Sequence, residues 1–98
     1  MESKQVYELT KKIPKGRVTT YGEIARALGN LGYSRAVGNA LKKNDNKAVP
    51  CHRVVRSDGT VGGFRNGAKK KIEILRKEGI QIKSGKILNF NRVLHKFH

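Results

Sequence analysis

Helix stop signals divide this chain into short segments, and this division limits the folds open to it. The first amphipathic segment is predicted to stop at Pro14, the second at Gly29 and the last at Gly79. Short runs of β-branched residues, such as Val18-Thr19 and Val54-Val55, lie between the helical segments. The pattern predicts a mainly α fold with short β elements.

Two of the predicted helices form a close pair. Thr20 and Glu23 match the Thr-x-x-Glu capping box that opens a helix. Ser34 is expected to be the N-cap of the next helix, which ends near Asn44. The turn at residues 30–32 between them is typical of a helix-turn-helix, but plain helical hairpins use similar spacing. The spacing alone therefore leaves DNA binding open.

The second helix of this pair carries a cation at its start and small residues behind it. Arg35 would lie in the first turn, where the helix dipole disfavours a positive charge by about 0.3–1 kcal/mol. A charge placed there favours a functional interpretation. Ala36 and Gly38 keep the helix narrow, either for entry into a groove or for close packing against another helix.

Length and charge limit the class of protein. A chain of 98 residues can form one domain core but leaves no room for a second globular unit. Lys and Arg outnumber Asp and Glu by 22 to 7, a formal net charge of +15, which favours a polyanionic partner. No apolar run approaches the ~20 residues of a membrane helix, and a signal-peptide core is lacking. We therefore expect an intracellular protein, in agreement with a single cysteine.

The only cysteine lies in the tetrapeptide Pro50-Cys51-His52-Arg53, where we expect the chemistry. A thiol attacks as its thiolate, and its pKa near ~8.5 must fall beside cationic or basic neighbours for fast reaction at neutral pH. His52 and Arg53 are candidates for that role if the chain turns here, and the fixed φ of Pro50 suits a turn. The alternative is a small buried hydrophobe, the commoner place of a lone cysteine.

Two features beyond the cysteine can complete a site. The run Gly62-Gly63-Phe64 predicts an ordered loop, which is either a wall against a flat ligand or a plain turn. Glu78 would lie at the C-terminal end of the last helix, the unfavourable end for a carboxylate. It either orients a histidine, as acids do in nucleophile–base–acid arrangements, or is ordinary surface charge.

The last part of the chain predicts a hairpin and a loose tail. Residues 80–82 and 86–88 flank a Lys-Ser-Gly turn and form the expected hairpin. Residues 89–98 are basic, and we expect them to be loose. His95 and His98 have no cysteine or carboxylate at metal-ligand spacing, so no metal site is expected.

Three blocks of the sequence occur in the order found in one protein family. They are GRVTTYGEIA at residues 16–25, SRAVGNAL at residues 34–41 and VPCHRVV at residues 49–55. In these blocks the chain closely resembles the O6-alkylguanine-DNA alkyltransferases, over roughly residues 3–88. The resemblance implies a winged helix-turn-helix-like single domain over residues 1–98, which is the family's DNA-binding and active-site domain.

The resemblance implies direct repair of DNA. The family binds the minor groove, flips an alkylated guanine out of the stack and moves the alkyl group irreversibly onto a cysteine, here Cys51. His52 would activate the thiol, usually through a water, and Glu78 would hold the histidine. Asn44 would link the helix-turn-helix to the active-site turn, and Tyr21 would assist flipping and donate toward the guanine. The protein would act once, without a cofactor.

The resemblance also assigns contacts to DNA and to the flipped base. Arg35 would fill the space left by the flipped nucleotide. The expected DNA contacts are Thr20, Tyr21, Arg35, Ala36, Gly38, Lys42 and Arg53. The expected substrate-pocket residues are Leu41, Val49, Pro50, Gly62, Gly63 and Phe64. Lysine and arginine contacts to phosphates should dominate the affinity.

The chain departs from the family pattern in three places. Family members often carry an additional N-terminal domain, which we expect to be absent because the match begins almost at Met1. The stretch at residues 45–48 is a residue shorter than in many relatives. Phe64 stands where a tyrosine is common.

Two other functions compete with alkyl transfer. Alkyltransferase-like proteins bind lesions without chemistry, but they carry another residue, often tryptophan, at the position of Cys51. A helix-turn-helix transcription regulator would need a dimerisation element, and the sequence shows none.

We expect a monomer that acts on double-stranded DNA without a membrane, in the cytoplasm or, in a eukaryote, in the nucleus. The size of the alkyl group and the use of O4-alkylthymine stay open.

Overall fold

The computed structural model of the protein describes residues 2–63 and 67–97. The elements in chain order are α1 (Ser3–Lys11), β1 (Thr19–Thr20), α2 (Tyr21–Ala27), α3 (Ser34–Lys43), β2 (Val54–Val55), α4 (Ala68–Lys77), β3 (Ile82–Lys83), β4 (Lys86–Ile87) and α5 (Phe90–Val93). The expectation of a mainly α domain with short β elements is confirmed. No helix in this part of the chain is both long and apolar enough to cross a membrane.

Local hydrogen bonds explain where α2 begins and correct the start of α3. Thr20 Oγ1 accepts a hydrogen bond from the Glu23 N–H at 3.0 Å, as the capping box predicts. Ser34 is not an N-cap, because a 3₁₀ turn over Leu31–Tyr33 runs directly into α3. Its hydroxyl instead donates to the carbonyl of Leu31 at 2.8 Å. The chain is already helical one turn earlier than the sequence suggested.

Two short strands connect the cysteine segment to the helical pair. β1 and β2 run parallel, with Thr19 opposite Val54 and Thr20 opposite Val55. β1 leads directly into α2, and β2 follows directly after the turn that contains the cysteine. This pairing therefore fixes the cysteine relative to the start of α2. The predicted terminal hairpin is present as the antiparallel pair β3 and β4.

The core consists of two buried clusters that meet at β2. The side chain of Val54 belongs to the first cluster and that of Val55 to the second, because successive residues of a strand face opposite ways. The first cluster joins α1, α2 and α3 through residues such as Val6, Ile24 and Val37. The second joins α4 to the hairpin through residues such as Leu75, Ile82 and Ile87. The strand after the cysteine is thus anchored on both sides.

Residues 89–97 are packed against the domain, so the expectation of a loose tail is wrong for them. Leu94 forms a parallel bridge with Val18, and the His95 N–H donates to the Val18 carbonyl at 2.6 Å. Thr19 Oγ1 donates to the His95 carbonyl at 2.8 Å, and Phe97 packs against the first cluster. The backbone of this segment forms hydrogen bonds with residues at and beside β1. Composition alone does not reveal these tertiary contacts.

Candidate active site

A single turn of 3₁₀ helix, Cys51–Arg53, presents the cysteine. The Arg53 N–H donates to the carbonyl of Pro50 at 3.0 Å, and the Cys51 N–H donates to that of Val49 at 2.8 Å. The chain therefore turns where the sequence analysis required a turn. Because the segment is not extended here, Cys51 and His52 are not forced onto opposite faces.

The sulfur of Cys51 is half-buried against the end of α3. Asn44 Nδ2 donates to Sγ at 3.0 Å, and the thiol lies 3.9 Å from the carbonyl oxygen of Leu41. Burial raises the pKa of the Cys51 thiol, and the Asn44 hydrogen bond and the charge of Lys71 only partly oppose this rise. In the free protein the thiol is therefore mainly protonated at neutral pH.

Glu78 joins the two side chains that follow the cysteine. His52 Nε2 lies 3.0 Å from Glu78 Oε2. Arg53 binds the same carboxylate through Nε at 3.0 Å and Nη2 at 2.7 Å. Burial raises the pKa of Glu78, but the hydrogen bonds and charges of Arg53 and His52 outweigh burial, so its pKa lies below the ordinary value. Arg53 and His52 thus stabilise the carboxylate of Glu78 at the end of α4, where the helix dipole is unfavourable.

The side chain of Arg53 forms hydrogen bonds inside the domain. Its Nη1 donates to the carbonyl of Ile13 at 2.9 Å, while Nε and Nη2 bind Glu78. Only 16% of its side chain is exposed. The assignment of Arg53 to DNA binding stays a prediction, and Arg53 is not among the groups that shift the pKa of Cys51. Among the described residues, Lys71 is the charged side chain that lowers the pKa of Cys51.

Tyr21 lies near the cysteine at the start of α2. Burial raises the pKa of its hydroxyl, Arg56 lowers it and the charge of Cys51 raises it. The hydroxyl is therefore protonated at neutral pH and can donate a hydrogen bond. A Cβ at Gly38 would lie 3.8 Å from Tyr21 Cδ1, so Gly38 of α3 packs against Tyr21 of α2. This contact supports the packing alternative for Gly38.

An open cleft of about 510 Å³ borders Tyr21. Its walls are the start of α2, the turn before α3 and residues 56–58, with Thr20, Arg26 and Arg56 among the lining residues. The Thr20 side chain is engaged as the cap of α2, and Arg26 lies 3.9 Å from Glu23. Arg56 is a cation that the sequence analysis did not single out.

The other expected contacts divide between the surface and the core. Arg35 and Lys42 are exposed on α3, and Ala36 is half-buried. Leu41 and Val49 are buried in the first cluster, and their assignment to the substrate pocket stays a prediction.

The glycine-rich loop follows β2 by a few residues. Gly62 has a φ of +73°, a conformation that favours glycine, and a Cβ there would lie 3.3 Å from Arg56 Cγ. Pro50 and Gly62 are half-buried, whereas Gly63 is exposed. Phe64, expected in the pocket, lies outside the described residues.

Lys71 is a buried cation that the sequence analysis missed. The residue is 1% exposed, and its Nζ donates to the carbonyls of Val54 at 2.7 Å and Gly63 at 3.1 Å. Burial lowers its pKa to about 8. One sequence signal could have found it, because Lys71 lies four residues before Leu75 and so shares the buried face of α4.

The site thus combines a thiol, an imidazole held by a carboxylate, a phenol and a buried ammonium group. This set can support attack by sulfur on an electrophilic carbon, with nearby groups to take up and donate protons. Among the described residues, no three His, Cys, Asp or Glu side chains form a group that could hold a metal ion.

The sequence profile of the family described as "6-O-methylguanine DNA methyltransferase, DNA binding domain" matches residues 2–80. The chain belongs to this family. A methylated-DNA–protein-cysteine methyltransferase of Thermococcus kodakarensis is 46% identical over 80 residues, which are 80% of this chain and 44% of the relative. A bifunctional methyltransferase/endonuclease of Picrophilus torridus is 46% identical over 83 residues, 84% of this chain and 28% of the relative. The chain spans less than half of each relative.

Solved structures of 6-O-methylguanine DNA methyltransferase relatives share this fold. S. pombe Atl1 in complex with damaged DNA containing O6-carboxymethylguanine matches with a TM-score of 0.85 and 37% identity, over 96% of this chain and 94% of that one. The O6-methylguanine-DNA methyltransferase of Pyrococcus kodakaraensis strain KOD1 matches with a TM-score of 0.71 and 44% identity, over 80% and 46%. The resemblance drawn from the sequence is confirmed.

Proposed function

We propose that this chain repairs DNA directly, by transferring an alkyl group from O6-alkylguanine in duplex DNA to the sulfur of Cys51. One observation carries the proposal. The cysteine of the family motif is present, and its sulfur accepts a hydrogen bond from Asn44 beside the His52–Glu78 pair. Relatives named methylated-DNA–protein-cysteine methyltransferase support the same chemistry.

The proposed reaction is a substitution at carbon. The Cys51 thiol loses its proton, and the thiolate sulfur attacks the alkyl carbon of the substrate. The S–C bond forms as the bond from carbon to O6 breaks, and the electron pair of that bond stays on the guanine. His52, held by Glu78, takes the thiol proton through a water, and the Tyr21 hydroxyl donates toward the guanine as negative charge develops.

The product explains why no cofactor takes part in the proposed reaction. The alkyl group ends in a thioether, which leaves no thiol for a second round, so each molecule repairs one lesion. Because burial raises the pKa of the Cys51 thiol, the reaction requires a group that removes its proton.

Access to the substrate requires extrusion of the base, because the reacting carbon lies inside the duplex. We infer that α2 and α3 act as a helix-turn-helix that enters the minor groove, with Arg35 filling the space of the flipped nucleotide. Arg35 is exposed in the first turn of α3, and Tyr21 borders the adjoining cleft. The net charge of +15 supports binding of phosphates. The protein would act as a monomer where the cell keeps its DNA, in the cytoplasm or the nucleus.

The test is the intact mass of the protein after incubation with duplex DNA that carries one O6-methylguanine. A gain of one methyl group, located on Cys51 by peptide mapping, is the expected result. The same duplex with unmodified guanine is the control, and Cys51→Ser should bind the lesion without gaining mass. An unchanged mass of the wild-type protein would refute transfer.

The second candidate function is lesion recognition without transfer. It is favoured by the match to Atl1, which covers nearly the whole of both chains. The raised pKa of Cys51 agrees with a sulfur that reacts slowly. Tight binding to the O6-methylguanine duplex together with an unchanged mass would assign this function. The presence of the thiol leads us to prefer transfer.

A further inference from the structure

We propose that the β3–β4 hairpin makes a second contact with the phosphate backbone of the substrate duplex, through Lys83 and Lys86 beside its turn. This contact lies outside the helix pair and rests on the proposed function, because duplex DNA is the substrate of that reaction. It can be tested by DNA binding alone, without transfer of an alkyl group.

The two lysines of the hairpin lie directly opposite each other. The register of the antiparallel pair places Lys83 on β3 across from Lys86 on β4, and both residues are exposed. Like charges at directly opposite positions of a sheet are destabilising, so these two ammonium groups do not serve the stability of the hairpin. Residues 79–91 contain no Asp or Glu that compensates them. A pair of cations held together against their own repulsion favours binding of an anion.

The charge of both lysines is available to a partner. Among the residues that the structure describes, no salt bridge includes Lys83 or Lys86. Asp58 is an acidic residue that responds to the hairpin, since hydrogen bonds from Thr60 lower its pKa and the charges of Arg56 and Lys86 lower it further. One oxygen of this carboxylate already accepts from the Thr60 N–H at 3.0 Å and from the Thr60 hydroxyl at 2.7 Å.

Hydrogen bonds fix the hairpin to the rest of the domain. Arg76 Nη2 on α4 donates to the carbonyl of Ile82 in β3 at 2.7 Å. The N–H of Ile87 in β4 donates to the carbonyl of Gly59 at 2.9 Å. The two lysines therefore extend from a backbone that is already in place, and binding would restrict only their side chains.

The hairpin adjoins the cleft that borders Tyr21. Thr60 forms an antiparallel bridge with Lys86, and its carbonyl accepts from the Arg56 N–H at 3.0 Å. Arg56 and Asp58 in turn line the cleft. Because Arg56 and Lys86 both act on Asp58, positive charge continues from the cleft to the hairpin. The backbone of a duplex bound at the cleft can follow this charge.

A phosphate backbone is the partner that fits this surface. Lysine presents a compact charge with three donors on a flexible stem, so it binds phosphate without a fixed orientation. Contacts of this kind position a protein on the duplex and carry no sequence information. The hairpin would therefore hold DNA beside the lesion whatever sequence flanks it.

The experiment measures binding to an undamaged duplex by fluorescence anisotropy at several salt concentrations. In Lys83→Gln/Lys86→Gln, the slope of log K against log salt concentration should fall in magnitude by about 1.8, the value for two phosphate contacts. Lys4→Gln/Lys11→Gln removes the same charge from exposed positions of α1 and should keep the wild-type slope. Equal slopes for the hairpin variant and this control would overturn the proposal.

Further variants separate charge from folding. Lys83→Arg/Lys86→Arg keeps both charges and should keep the wild-type slope, and a fall as large as that of the glutamine variant would refute the role of charge. Thermal unfolding should show that Lys83→Gln/Lys86→Gln is at least as stable as the wild type, because it removes like charges that face each other. If that variant does not fold, Lys83→Gln alone decides, with an expected fall of about 0.9. No fall would refute the contact.

Measurements of transfer separate the hairpin contact from the chemistry. Free O6-methylguanine has no phosphate, so Lys83→Gln/Lys86→Gln should react with it at the wild-type rate, whereas transfer from a subsaturating duplex should be slower. A loss with the free base would place the effect in the base pocket and would overturn the proposal. If the wild-type protein transfers no methyl group, the proposed function fails, while the slope on undamaged DNA still decides for or against the hairpin.

Discussion

The side-chain amide of Asn44 donates a hydrogen bond to the sulfur of Cys51, with Nδ2 3.0 Å from Sγ. Asn44 is the C-cap of α3, and its side chain also bonds the backbone of Asn46. The end of the proposed groove-binding helix is therefore in direct contact with the proposed nucleophile. Alkylation of the sulfur would therefore alter the hydrogen bond that it accepts from the C-cap residue of α3.

Asn44→Ala should slow the reaction of the thiol and weaken the domain. The hydrogen bond from Asn44 lowers the pKa of Cys51, so its loss leaves the rise caused by burial less opposed. We expect slower iodoacetamide labelling at pH 7.5 and a loss of about 1 kcal/mol in the free energy of unfolding. Asn39→Ala, on the exposed part of the same helix, is the control. Unchanged labelling would show that the contact does not influence the sulfur.

Glu78→Gln should reveal a contribution to stability that depends on pH. The pKa of Glu78 is lower in the folded state than its ordinary value of 4.5, so its ionised form stabilises the fold above that pH. The contribution is lost as the pH falls through the folded value. We expect the variant to be less stable by about 2 kcal/mol at pH 7. Urea unfolding at pH 7, 5 and 3.5 measures how the difference shrinks.

The control for this experiment is Glu73→Gln, which removes an exposed carboxylate from the same helix. It should change the stability little at any of the three pH values. If the difference between wild type and Glu78→Gln were the same at pH 7 and pH 3.5, the charge of Glu78 would have no part in it.

Arg35→Ala should slow transfer from duplex DNA more than transfer from the free base. The duplex reaction requires the extruded nucleotide to be replaced in the stack, whereas free O6-methylguanine requires no extrusion. We expect a loss of roughly 10-fold, or about 1.4 kcal/mol, on the duplex alone. Arg92→Ala removes another exposed arginine for comparison. Equal losses on both substrates would argue against insertion of Arg35.

Arg56→Gln should weaken binding to undamaged duplex DNA without changing its preference for sequence. Arg56 lines the cleft beside Tyr21, where it can meet a phosphate. The slope of log K against log salt concentration should fall in magnitude by about 0.9, the value for one phosphate contact. Fluorescence anisotropy at several salt concentrations gives the slope, with Arg92→Gln as the control. A slope equal to that of the wild type would exclude the contact.

The local parts of the site could be predicted from sequence because they depend on neighbouring residues. The turn at Pro50 and the capping of α2 by Thr20 follow from local backbone rules, and both are present. The pairing of His52 with Glu78 joins residues 26 positions apart, and periodicity alone gave no distance between them. The family resemblance supplied that link.

The missed features depend on tertiary contacts or on competing local bonds. Serine is a residue type that favours the N-cap position. The 3₁₀ turn before Ser34, however, makes the chain helical before that residue. Lys71 is charged, so its place on the buried face of α4 was not expected, although its spacing from Leu75 indicated that face. The bond between Arg53 and Glu78 was not expected either, because the carboxylate arrives from α4.

The hydrogen bond from Thr19 to the carbonyl of His95 joins residues 76 positions apart in the chain. Contacts this far apart form slowly, because a long loop must close before they give any stabilisation. We therefore expect the contact of β1 with this segment to form late in folding, after the helices have formed. During synthesis, the side of β1 that bonds this segment must wait until residues 94 and 95 have left the ribosome. Changes in this segment should then act on the rate at which active protein accumulates, and not only on its final stability.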